Sequence, residues 1–214
     1  MCGRYDIKFE DFQSYQDYLD YKRQKTNLET KQKEVLPSQE SFVVVAEKGE
    51  PKIKKMIWGF AEQRSEKNKF KGLIINVDAQ TIEENGYWKK YLETSQRCLV
   101  IADGYFEWKN INSKKKEKYR ISLNSGFPFV MAGLWALETD SKTGRTANKF
   151  GIITTHAADE IKSLHHRMPF ILNENEEQIW LGNTEIESLK SMLKIIPNSK
   201  LKTEKKDDQI SMFE

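Results

Sequence analysis

Residues 97–108 read RCLVIADGYFEW. The run is dense in β-branched and aromatic residues, which suit a pleated and largely buried strand better than a helix. Side chains alternate between faces along a strand, so Glu107 falls on the same face as Tyr105. A carboxylate among such neighbours is partly desolvated, which raises its pKa and suits it to general acid–base work. The competing reading is a strand-edge glutamate paired with Lys109 or Arg120. Working outward, SFVVVAE (41–47), KIKKMIWGF (52–60), GLIIN (72–76), KYRISL (118–123), FPFVMAGLWALE (127–138) and KFGIITT (149–155) have the same character. Gly, Pro, Asn or charged clusters bound these runs.

Helical spacing appears in fewer places. Phe9, Phe12, Tyr15, Tyr18 and Leu19 predict an amphipathic helix over 9–24. Residues 83–94, AADEIKSLH (157–165), ENEEQIWL (174–181) and TEIESLKSMLKI (184–195) predict short helices. There is no internal repeat. Strands scattered among helices without strict alternation indicate an α+β fold rather than a doubly wound sheet.

Composition sets wider bounds. A chain of 214 residues suits one domain, at most two, and can bury a core without covalent staples. Its two cysteines, Cys2 and Cys98, lie far apart and outside any CxxC pattern. That spacing argues against a zinc site or disulfide framework and for a reducing compartment; no cofactor or metal is expected. The N-terminus runs directly into charged residues, and no stretch approaches the ~20 apolar residues of a membrane span. A cytoplasmic protein is the expectation. A net charge of +3, from 35 basic and 32 acidic residues, leaves the partner open.

Cys2 raises a chemical question of its own. Methionine aminopeptidases act when the second side chain is small, so Met1 is expected to be removed. Cys2 would then carry an α-amine of reference pKa roughly 8 beside a thiol of roughly 8.5. Such a 1,2-aminothiol captures aldehydes: the amine forms an imine, and the thiolate closes onto it as a five-membered thiazolidine.

Several stretches occur in an order that resembles the SRAP family, named for SOS-response-associated peptidases and understood as abasic-site processing proteins. They are MCGRY (1–5), EVLPSQ (34–39), IWGF (57–60), IINVDAQT (74–81), RCLVIADGYFEW, AGLW (132–135), IITTHA (152–157) and HHRMPFIL (165–172). The resemblance implies one domain over residues 2–197, with a mostly antiparallel, curved and barrel-like sheet flanked by helices. It implies a protective covalent trap for abasic sites in single-stranded DNA, made by Cys2, with Asn76, Glu107 and His165 as further site residues. His165 is the histidine of the family's HxRMP motif, which leaves His166 at the variable position. Arg4 is a candidate phosphate clamp, or else the partner of a structural carboxylate. A thiol peptidase using Cys2, including self-processing, and a non-catalytic repair adaptor remain open.

Three departures from the family's pattern stand out. A basic residue is replaced by Asp78, an acid by Gln80 and an asparagine by Glu34. Lys67, Lys69, Lys71 or the lysines of NSKKKEK (112–118) are candidates to compensate for lost DNA contacts. After Pro197 the chain becomes charge-rich without apolar periodicity, so residues 198–214 are expected to be a flexible tail. Within it Gln209-Ile210-Ser211-Met212-Phe213 resembles the short segment by which bacterial replication proteins bind the β sliding clamp. Gln209, Ile210, Met212 and Phe213 would be its contacts. Nucleoid association follows as an expectation.

Overall fold

The computed structural model describes residues 2–8, 12–24, 33–61, 72–94, 96–113, 115–139, 144–197 and 200–206. In chain order, the first half contains β1 (Tyr5–Ile7), α1 (Tyr15–Lys22), β2 (Lys33–Val35), β3 (Glu40–Glu47), β4 (Glu50–Trp58), β5 (Phe60–Ala61), β6 (Leu73–Ile74), β7 (Asn76–Asp78), α2 (Gly86–Glu93) and β8 (Arg97–Ala102). The second half contains β9 (Gly104–Asn110), β10 (Lys116–Leu123), β11 (Phe129–Thr139), β12 (Thr146–His156), α3 (Asp159–Lys162), β13 (Arg167–Pro169), β14 (Ile171–Leu172), α4 (Glu174–Leu181), α5 (Ile186–Leu193) and β15 (Leu201–Lys206).

Strands β12, β4, β3, β8 and β11 neighbour one another in that order, and β11 pairs back onto β12 to close a ring. Closure leaves these strands with no exposed edge at the seam. The β3–β4 hairpin turns through Lys48 and Gly49, both at positive φ, which matches the strands' own twist. Lower on β12 the barrel opens into a wedge, and β13–β14 fills it. Phe170 N–H donates to Ile153 O and Phe170 O accepts from Ala132 N–H, both at 2.8 Å. The expected α+β class and barrel-like, mostly antiparallel core are therefore present; the parallel pairings are those of β12 with β4 and β7.

The run 97–108 is two strands in two sheets. Strand β8 belongs to the barrel, whereas β9 enters a five-stranded sheet of order β15-β10-β9-β1-β2. The change of sheet occurs at Asp103-Gly104. Asp103 N–H donates to Asp6 O at 2.9 Å, and the Asp103 carboxylate accepts from Lys8 N–H at 2.6 Å and from the Tyr21 hydroxyl. At Gly104 a Cβ would lie 2.7 Å from Arg120 Cζ. The guanidinium crosses that gap to reach Asp6 at 2.5 and 2.9 Å.

Helix boundaries follow caps rather than periodicity. The helix expected over 9–24 starts at Tyr15, because Ser14 and Asp17 form a reciprocal capping box at its N-terminus. Asn85 starts α2 later than residue 83 by accepting from Tyr87 N–H. The stretch 157–165 gives only the four-residue α3. The domain boundary also needs correction. Residues 201–206, expected within a flexible tail, form β15, paired with β10 from Leu123↔Leu201 to Lys118↔Lys206. An edge strand needs no apolar periodicity: the backbone ladder, burial of Leu201 and a 2.7 Å Lys205–Glu117 pair suffice. Gln209, Ile210, Met212 and Phe213 lie outside the described residues, as do Lys67, Lys69 and Lys71.

Arg97 joins the barrel to its helices. Its buried guanidinium donates to Leu92 O of α2, Trp180 O of α4 and Gly182 O, at 2.6 to 2.7 Å. These carbonyls lie at helix C-termini, where no intrahelical donor is available. Arg97→Met strips them of that donor without removing bulk. Stability should fall by about 3 kcal/mol, a drop of about 6–12 °C in Tm for a domain of this size, measurable by urea and thermal unfolding.

Candidate active site

Cys2 precedes β1 and is completely buried, beside the join between the barrel and the five-stranded sheet. Strand β1 pairs with β9 through Tyr5↔Tyr105 and Asp6↔Gly104, and the ladder continues through Phe106 N–H to Arg4 O at 2.9 Å. This register carries the chain start alongside Glu107. The Cys2 thiol donates to Arg4 O at 3.6 Å. Burial and then the Glu107 charge push that thiol far above its ordinary range, so it rests protonated.

Asn76 opens β7, which runs parallel to β12 with Ile152 as its register partner. Its Nδ2 donates to Cys2 O at 2.9 Å. Its Oδ1 is buried and has no hydrogen-bond partner among the described residues. One amide thus holds the Cys2 backbone and keeps an acceptor vacant beside it.

Glu107 is buried on β9. Desolvation pushes its carboxyl up, against the pull of the chain's positive amino terminus. Arg120, one suggested structural partner, directs its guanidinium to Asp6 instead. His165 lies just before β13, stacked on His166 with ring centroids 4.4 Å apart. Its Nδ1 accepts from Arg167 N–H at 3.0 Å, so the neutral ring carries its proton on Nε2. Burial, then the positive amino terminus, hold its pKa below the usual histidine range. The charge of the amino terminus bears on Cys2, Glu107 and His165 alike, and Asn76 touches Cys2 directly. Residues far apart in sequence therefore converge on one end of the chain.

Two residues that the sequence did not single out also belong here. The Tyr105 hydroxyl is fully buried and has no hydrogen bond to the described residues, and burial first of all pushes its pKa up. The period-2 pattern that placed it beside Glu107 was the available signal. Arg167 is nearly inaccessible; it bonds Thr154 O at 2.7 Å, Asp78, and the Gln80 side chain. The departures Asp78 and Gln80 thus hold Arg167 inside the fold. Arg4 has Nη1 2.7 Å from Glu34 and its guanidinium 5.3 Å from the Trp108 ring. Trp58 is core: it is fully buried and donates from Nε1 to Ile75 O at 3.0 Å.

The chain is 34% identical over 161 residues to the abasic site processing protein YoaM of Bacillus subtilis, covering 74% of this chain and 70% of that protein. It is 29% identical over 184 residues to the abasic site processing protein HMCES of Xenopus tropicalis, covering 76% of this chain and 54% of that longer protein. A crystal structure of a Bacteroides thetaiotaomicron protein shares the fold, with a TM-score of 0.76 at 24% identity over 97% of this chain and 93% of that one. The model of the family described as SOS response associated peptidase (SRAP) matches residues 1–212, and the chain belongs to that family.

Proposed function

We propose that this protein processes abasic sites in single-stranded DNA by forming a thiazolidine between Cys2, freed of Met1, and the ring-opened sugar aldehyde. The observation that carries the reading is the grouping of Asn76, Glu107 and His165 around a buried cysteine at the chain start. The names of the relatives add weight to the choice of substrate.

The chemistry balances without a cofactor. The Cys2 amine attacks C1′ of the aldehyde, and proton transfer from nitrogen to oxygen gives a carbinolamine. The Glu107 carboxyl gives its proton to the carbinolamine hydroxyl, water departs, and an iminium remains beside the Glu107 carboxylate. The sulfur then attacks the same carbon, its proton passing to the Glu107 carboxylate, and the five-membered ring closes. Asn76 Oδ1 accepts from the amine or a sugar hydroxyl, and His165 donates from Nε2 to the sugar oxygen as the ring opens. Closure consumes the iminium, which would otherwise acidify the neighbouring carbon and promote β-elimination of the 3′ phosphate.

Two outcomes are expected at the chain start. Protein verified by intact mass to retain Met1 should form no heat-stable adduct with an abasic oligonucleotide, and Cys2→Ser should form only a labile one, because its imine cannot close. A stable adduct from unprocessed protein would sink the aminothiol mechanism.

Glu107→Gln should slow adduct formation by about 10²-fold. It should also flatten the pH dependence of the rate that titration of this carboxyl, raised above the ordinary glutamate range by burial, produces. A carboxyl with a raised pKa contributes stability below its ordinary pKa and loses it as pH rises through the folded value. The same variant should therefore melt higher than wild type at pH 7, with the difference vanishing toward pH 4. Unchanged rates and slopes would remove Glu107 from the mechanism.

The segment 209–213 is proposed to bind the β sliding clamp, raising the local concentration of the trap near replication forks. A peptide of residues 203–214 should bind with a Kd of about 1–100 μM by calorimetry, typical of −8 to −5 kcal/mol. Binding that survives both Gln209→Ala and Phe213→Ala would refute the assignment.

A further inference from the structure

Glu34 on β2 sits between two cations at the rim of the site. Its Oε2 lies 2.7 Å from Arg4 Nη1, and its Oε1 lies 2.8 Å from Lys118 Nζ. The cations are themselves backed by aromatic rings of β9: Arg4 by Trp108 at 5.3 Å, and Lys118 by Phe106 at 4.4 Å. Two cations braced on rings around one carboxylate make a seat of anion size. Arg4 Nε is buried and has no acceptor among the described residues, so the guanidinium has a donor that Glu34 does not use.

The seat adjoins the reaction centre. Arg4 is two residues from Cys2, a separation that spans at most about 7 Å, and its carbonyl accepts from the Cys2 thiol. The other two arginines nearby are engaged in the interior. Arg120 is buried against Asp6, and Arg167 against Asp78 and Thr154. Glu34, by contrast, is about one-third exposed, so its carboxylate can swing away without unfolding anything.

We propose that Glu34 is an internal competitor for a DNA phosphate: its carboxylate occupies an anion seat formed by Arg4 and Lys118, and a phosphate flanking the abasic nucleotide displaces it. The proposal rests on the function argued above. It gives Glu34 a sign opposite to that of a binding residue. With the carboxylate present the seat carries one net positive charge; without it, two. Weakly anionic ligands are turned away, and the strand must bring a phosphate to within bonding distance of both cations to open the seat.

The test uses the Met-processed full chain and single-stranded DNA bearing a tetrahydrofuran abasic analogue, which has no aldehyde and reports binding alone. Glu34→Gln preserves shape and an acceptor for Arg4. It should tighten binding by about five- to tenfold at low salt and steepen the log–log salt dependence by about 0.7, the value for one further phosphate neutralised on a single strand. Glu34→Ala should tighten it likewise, and Lys118→Gln should weaken it with a shallower salt slope. Equal or weaker binding by both Glu34 variants, alongside normal cross-linking of true abasic DNA by wild type, would overturn the competitor role and leave Glu34 as a strut for Arg4. Failure of wild type to bind or cross-link would instead overturn the proposed function, and this inference with it.

Discussion

The buried ion pair between Asp6 and Arg120 is the constraint on which the site depends. The guanidinium starts on β10, crosses β9 where Gly104 leaves room, and ends on β1. It thereby fixes three strands in one register. Slipping β1 by a single residue would turn its inward side chains outward and leave both charges unpaired in the interior, a strongly destabilising change. With the register held, Tyr5 faces Tyr105 and the chain start is laid alongside Glu107. A chain terminus is ordinarily frayed because little ties it down. Here the pairing of β1 on both sides and the bond from Asn76 to Cys2 O anchor it.

Burial then sets the chemistry. Desolvation disfavours whichever form is charged, so it raises the Cys2 thiol and the Glu107 carboxyl and lowers the His165 imidazole. One environment moves all three groups toward their neutral forms at physiological pH. The Asn76 acceptor and the Tyr105 hydroxyl are buried polar atoms with no hydrogen-bond partner among the described residues. Buried groups of this kind cost stability, which places them more naturally at a working site than in the core.

The family departures become intelligible as a set. Asp78 and Gln80 bind Arg167, and Glu34 binds Arg4 and Lys118. Each of these acidic or amide side chains sits against a cation.

The α+β class and most strands were legible in the sequence from alternation, and Cys2, Asn76, Glu107 and His165 are candidates drawn partly from alternation and partly from motifs that resemble the family. Alternation reports which residues share a face, and it put Tyr105 with Glu107 correctly. It does not report which sheet a strand joins. The run 97–108 looked like one strand because the switch at Asp103-Gly104 depends on Asp6, Lys8 and Tyr21, which are distant in sequence. Strand β15 was missed because its pattern is polar and its stability comes from β10. The partners of Arg4 were open for a similar reason, since only the pairing of β1 with β2, and of β10 with β9, brings Glu34 and Lys118 to it. Local chemistry follows from residue type and spacing; the pairing of charges and the burial that shifts their pKa values arise only when distant strands meet.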